Sequence, residues 1–173
     1  MSESRRALEE QFDRMLREHG AGISRLASSY EAVPSTREEL VQDIALAIWQ
    51  ALPHFRGECS ERTFVFRIAH NRSLTHAWRH KPVHQPLDDL EESEQPIDPR
   101  PHPEEQAAQT LQRARLMAAI HSLPMTHRQM IALMLEDFSH AEIADVLGIT
   151  ENNVAVRLNR ARKALKDALG VRP

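Results

Sequence analysis

The sequence predicts an all-α protein built from two small helical domains joined by an acidic, proline-rich linker. Three observations carry that expectation. Apolar residues recur three and four positions apart along most of the chain, the period of a helix with one buried face. Glycine is scarce, at five residues, and aromatics make up only 5%, a composition that favours helices over strands and turns. Six of the ten prolines fall between Pro82 and Pro103, among acids, where no packed element is expected.

The elements follow in order. Ser4 to His19 carries Leu8, Phe12, Met15 and Leu16 as a helical stripe, and Gly20 is expected to break it. Ile23, Leu26, Ala27 and Tyr30 continue as a second helix, ended by Pro34. Ser35 or Thr36 is expected to cap a third helix, with Glu38 and Glu39 in its first turn, where carboxylates suit the helix dipole. Leu40, Val41, Ile44, Ala45, Ile48 and Leu52 form its buried face. Glu38, Glu39, Gln42 and Asp43 form an acidic outer face, ill suited to DNA and suited to docking a protein.

Pro53 to Arg62 reads as a loop, with Phe55 set among polar residues next to Gly57. The helix expected from Thr63 to His80 has Phe64, Phe66, Ile68, Ala69, Leu74, Ala77 and Trp78 as its apolar members. Arg67, Asn71, Arg72, Thr75, His76 and Arg79 make a polar, basic stripe. From His54 to Lys81 there are six bases against two acids. Cations beside an aromatic loop suit a nucleic-acid strand, whose phosphates they neutralise and whose bases stack.

Between residues 83 and 106 the balance reverses, with eight acids against Arg100 alone. Residues 83–103 are therefore a linker between a domain at 1–82 and another at 104–173. Proline and acids at Pro103-Glu104-Glu105 open the next helix. Leu111, Ala114, Leu116, Ala118, Ile120 and Leu123 form its buried surface, and Leu123-Pro124 ends it. A further helix carries Met130, Ile131, Leu133, Met134 and Leu135.

The last third is the most patterned. Ser139 and Glu142 make a capping box, Ile143, Ala144 and Leu147 follow at helical spacing, and Gly148 ends the helix. Thr150 caps a second helix whose apolar stripe is Val154, Leu158 and Ala161 and whose outer face carries Arg157, Arg160, Arg162, Lys163 and Lys166. Small Ala144 suits a close crossing, and Ile149 can plug the turn. Glu151, Asn152 and Asn153 place short polar groups at the leading end. That pattern is a helix-turn-helix, whose second helix enters the major groove.

Other chemistries find little support. Cys59 is the sole cysteine, so no intramolecular disulfide can form. No signal peptide opens the chain, and no apolar run approaches the ~20 residues of a membrane span, so a cytoplasmic protein is expected. No nucleophile elbow or phosphate loop asks for catalysis, and neither an enzymatic role nor a cofactor is expected. His76, His80 and His84 are spaced by four, but Pro82 interrupts the helix before His84, so no metal site is expected.

Two stretches resemble the extracytoplasmic-function sigma factors, the two-domain specificity subunits of bacterial RNA polymerase. The first runs from Glu38-Glu39-Leu40-Val41-Gln42-Asp43 through Trp49-Gln50-Ala51-Leu52-Pro53-His54-Phe55-Arg56-Gly57 to Arg62-Thr63-Phe64-Val65-Phe66-Arg67-Ile68-Ala69-His70-Asn71. The second is Leu123-Pro124, Arg128 and the Ser139–Leu165 hairpin with Arg160-Ala161-Arg162. The resemblance implies that Glu38, Glu39, Gln42 and Asp43 dock on the core polymerase. It implies that Phe55, Arg56, Gly57 and the loop to Arg62 capture a flipped base of the minus-ten element. Arg67, Asn71, Arg72 and Arg79 would follow the non-template strand. Glu151 to Lys163 would read the minus-thirty-five element, with Asn152, Asn153, Arg157, Asn159 and Arg160 carrying the readout.

Four positions depart from the family pattern. Phe64 replaces a usual tryptophan, and Ala155 and Val156 remove two expected DNA contacts. Thr36 stands where aspartate is common, and a phosphate on Thr36 would restore the charge. With no sensing domain expected after Pro173, control is expected from an anti-sigma factor, a regulatory kinase or the chain's own expression. The alternative reading is a helix-turn-helix regulator that binds duplex DNA without core polymerase; a third is a helical interaction protein whose basic stripes are incidental.

Overall fold

The computed structural model describes residues 3–80 and 103–170. The linker expected at 83–103 lies outside the described residues except for Pro103, as do Lys81, Pro82, His84 and Arg172. Seven α-helices and one 3-10 turn make up the described chain, which contains no strand. In order they are α1 (Glu3–Tyr30), α2 (Pro34–Ala51), the 3-10 turn Leu52–His54, α3 (Glu61–Arg79), α4 (Pro103–Ser122), α5 (Met125–Leu135), α6 (His140–Leu147) and α7 (Glu151–Ala168).

The expected break at Gly20 does not occur. α1 runs unbroken through Gly20 and Gly22 for 28 residues. A glycine weakens a helix by about 1 kcal/mol but ends it only where the chain turns to positive φ. Packing also asks for a glycine here, because a Cβ on Gly22 would lie 2.8 Å from the Phe66 ring and 2.9 Å from the Glu136 carboxylate.

The caps of α2 and α3 differ from expectation too. Val33 occupies the N-cap of α2 with no side-chain hydrogen bond, and Pro34 takes the first turn, so neither Ser35 nor Thr36 caps it. Proline's fixed φ starts the helix without a cap. α3 starts two residues before Thr63, because Ser60 Oγ accepts from the Thr63 N–H at 3.0 Å.

α1, α2 and α3 pack on one another around Met15, Leu26, Leu40, Ile44, Ile48 and Val65, all 1% exposed or less. In the second half, α5 packs on α7 around Met130, Ile131, Leu133, Val154 and Leu158. Fully burying one such side chain is worth about 1.5–3 kcal/mol.

The two halves touch. α3 packs on α6, and α1 packs on α4 and α5, so the buried apolar residues form one continuous cluster. Phe66 of α3 meets Phe138 of the α5–α6 turn edge-on, with ring centroids 4.8 Å apart. Arg25 of α1 grips Glu136 with two hydrogen bonds of 2.6 and 2.7 Å. Asp137, next in that turn, takes φ 56°, a left-handed conformation that aspartate tolerates better than most residues.

Candidate nucleic-acid interface

The loop before α3 is shaped by local chemistry. Pro53 sits in the 3-10 turn, Phe55 is extended, and Gly57 has φ 73°, a conformation costly for any residue with a Cβ. The loop folds Phe55 back against Phe64, with ring centroids 4.5 Å apart. These rings, with His54, Arg56, Arg67 and Asp145 around them, line an open cavity of about 540 Å³. An apolar wall rimmed by cations is chemically suited to an unstacked base and its phosphate.

α3 presents Arg67, Asn71, Arg72 and Arg79 to the surface, all exposed. His76 leaves that stripe: it is 10% exposed and pairs with Glu31 at 3.0 Å, stacked on His80 at 4.2 Å. Burial alone would push the Glu31 carboxyl up, but His76, the Val33 N–H and His80 together hold it below its ordinary value. Beneath the stripe, Tyr30 and His70 pair at 2.8 Å. Burial pushes His70 down to about 4, so at neutral pH the imidazole is uncharged. Among the described residues no group of three or more His, Cys, Asp or Glu is placed to hold a metal ion.

The outer face of α2 exposes Glu38, Glu39, Gln42 and Asp43, while Thr36 is half-buried in the first turn. Leu46 is 54% exposed and falls four residues after Gln42, an apolar neighbour to the acids that the sequence pattern did not single out.

In the C-terminal half the caps are those expected. Glu142 N–H donates to Ser139 Oγ at 3.3 Å and Ser139 N–H donates to the Glu142 carboxylate at 2.8 Å. That backbone donation is the main reason the Glu142 carboxyl lies below its ordinary value. Gly148 takes φ 66°, and Thr150 Oγ1 accepts from Asn153 N–H at 3.3 Å. Val154, Leu158 and Ala161 are buried. That leaves Glu151, Asn152, Asn153, Arg157, Asn159, Arg160 and Lys163 exposed on α7. Arg162 is exposed as well, and its Nε lies 3.1 Å from Met134 Sδ.

Known families match this arrangement. The family described as "Sigma-70 region 2" matches residues 15–82, and "Sigma-70, region 4" matches residues 107–165. The chain belongs to the sigma-70 family of RNA polymerase sigma factors. Within it the chain is of the extracytoplasmic-function kind. RNA polymerase sigma factor CnrH of Cupriavidus metallidurans is 30% identical over 165 residues, spanning 91% of this chain and 86% of that protein. The ECF RNA polymerase sigma-E factor of Escherichia coli is 30% identical over 151 residues, 83% of this chain and 78% of that one. Among solved structures, CnrH bound to the cytosolic domain of CnrY superposes with a TM-score of 0.70 at 24% identity, covering 95% of this chain and 91% of that one. RpoE of Bartonella quintana, bound to the anti-sigma factor NepR, gives 0.72 at 21%, covering 95% and 99%.

Two residues near the sigma interface carried no clear sequence signal. Trp78 reads as part of the apolar set of α3, yet it is 67% exposed, one residue from Arg79. Asp145 falls on the polar side of the first hairpin helix, and only the fold carries it to the cavity beside Phe55.

Proposed function

We propose that this sigma factor holds core polymerase through residues 1–82 and places it on a promoter through both halves, with residues 83–103 as the connector. Glu38, Glu39, Gln42 and Asp43 dock on the core enzyme, with Leu46 adding apolar area. Phe55, Arg56, Gly57 and Arg62 take a minus-ten base out of the stack, at a cost of a few kcal/mol. Arg67, Asn71, Arg72 and Arg79 hold the non-template strand, and Trp78 offers a ring to a neighbouring base. In the second half, Asn152, Asn153, Arg157, Asn159 and Arg160 reach base edges of the minus-thirty-five element, while Glu151 and Lys163 flank them.

The observation that carries this reading is the aromatic, cation-rimmed cavity at the head of a basic helix, in a chain that also bears a capped helix-turn-helix. The polymerase performs the chemistry, and this chain positions it, in the cytoplasm. An anti-sigma factor is the expected type of regulatory partner, and a kinase acting on Thr36 is another. Run-off transcription with bacterial core polymerase tests the reading. The chain is expected to confer initiation at its own promoters, and Arg67→Ala and Asn71→Ala each to reduce it about tenfold or more. A chain that binds duplex DNA but never directs the core enzyme would overturn it.

A further inference from the structure

One position on α7 breaks the polar pattern of its outer face. Val154, Leu158 and Ala161 are buried, so a helix turning about 100° per residue directs Asn152, Val156 and Lys163 most squarely away from the core. Asn159 and Arg160 follow Val156 by three and four residues and share its patch of surface. All five are exposed, and Val156 alone among them is apolar. It is 46% exposed, in the middle of the face, one turn after the asparagines that follow the Thr150 cap.

A lone apolar side chain on a surface is ordinary, so the argument turns on where this one sits. Folding gains little from it, because the side chain stays largely in water and a β-branched residue is a poorer helix former than alanine. A phosphate has no use for it either, since phosphates are held by donors. Its stiffness suits docking, because valine keeps essentially one χ1 rotamer in a helix and loses little freedom when covered. The major groove offers one apolar group, the C5-methyl of thymine, while asparagine and arginine are matched to adenine and guanine edges.

We propose that Val156 is a specificity-determining residue that packs on the C5-methyl of a thymine in the minus-thirty-five element, beside the bases taken by Asn152, Asn159 and Arg160. The inference deepens the sigma-factor reading and rests on α7 entering the major groove. A polar side chain at this position would bond a base edge or a phosphate; valine selects the methyl instead. Cytosine in the same place would turn its N4 amino group toward an apolar side chain and lose its water without a new partner.

Removal of the methyl alone tests the contact. The full chain with bacterial core polymerase selects duplexes from a pool randomised at both promoter elements. The enriched minus-thirty-five element is then changed one thymine at a time to deoxyuridine, which removes the methyl and keeps the pairing edge. Wild type is expected to lose about fourfold in affinity at one thymine, the worth of one buried methyl-sized group. Val156→Ala is expected to bind the thymine duplex about fourfold more weakly and to bind the thymine and deoxyuridine forms of that position equally. The other thymines should respond as in wild type. Val156→Ala is expected to melt no lower than wild type, so its lost affinity reports the contact and not the fold. A Val156→Ala chain that still discriminates would trace the effect to DNA shape and overturn the assignment. An enriched element without thymine on either strand would overturn it too. A pool that enriches no element sinks the sigma-factor reading and this assignment together, whereas an enriched element whose thymines wild type cannot tell from deoxyuridine sinks the assignment alone.

Discussion

Two glycines in one helix make opposite demands at the residue scale. A Cβ on Gly20 would meet nothing within 4 Å, whereas on Gly22 it would strike Phe66 and Glu136. Gly20→Ala is therefore expected to stabilise the fold by up to about 1 kcal/mol through helix propensity. Gly22→Ala gains the same propensity but is expected to lose more to overpacking, about 1–3 kcal/mol. Urea unfolding of the two variants should move the midpoint in opposite directions. His70 gives a second residue-scale prediction. Its pKa falls from an ordinary value near 6.5 to about 4, with burial as the cause. Between those values the unfolded chain binds the extra proton, so stability present above about pH 6.5 is lost as pH falls toward 4. The loss is on the order of 3 kcal/mol. Thermal melts at pH 7 and pH 5 should show it, and His70→Gln should flatten this part of the profile.

At the scale of elements, legibility followed the local chemistry. The α6–α7 hairpin could be read almost whole, because Ser139, Glu142, Gly148 and Thr150 act within a few residues of one another. Gly20 looks like a stop in the sequence, but a glycine ends a helix only where the chain turns to positive φ, and Gly20 keeps helical backbone, so α1 runs on. α3 starts earlier than the sequence pattern predicts because Ser60, inside the expected loop, caps the helix through the Thr63 N–H. Helical spacing puts His76 on the basic stripe, and nothing local reveals its partner, because Glu31 lies 45 residues away. The capping box allows a direct check. Ser139→Ala removes one acceptor at the start of α6 and is expected to cost about 1 kcal/mol, with Ser139→Gly milder. Duplex DNA binding should weaken only as far as the hairpin frays, which hydrogen exchange at the Glu142 amide would report.

What the sequence concealed lies at the scale of the whole molecule, in the seam between its halves. Arg25 and Glu136 are 111 residues apart, and neither belongs to a local pattern that marks it as a partner. Charge segregation suggests basic surfaces on the folded parts and an acidic connector, whereas the seam itself sets cations on one side against carboxylates and carbonyls on the other. The same seam contains a proton-sensitive contact. His121 at the end of α4 pairs with the Ser28 carbonyl of α1 at 2.9 Å, and Arg128 donates to the His121 carbonyl. Burial holds His121 below its ordinary value, Arg128 and Arg37 add to that, and the Ser28 carbonyl and Glu31 oppose it. A group with a lowered pKa in the closed form takes up its proton more readily once released. Acid should therefore favour separation of the halves, over the range below the ordinary histidine value. Scattering between pH 7.5 and 5.5 is expected to show the chain expanding, and His121→Gln, which keeps a donor for Ser28 but cannot titrate, to suppress that expansion. A wild-type chain equally compact across the range would show that the His121 contact does not govern the seam, and would leave the Arg25–Glu136 pair as the point where it is held.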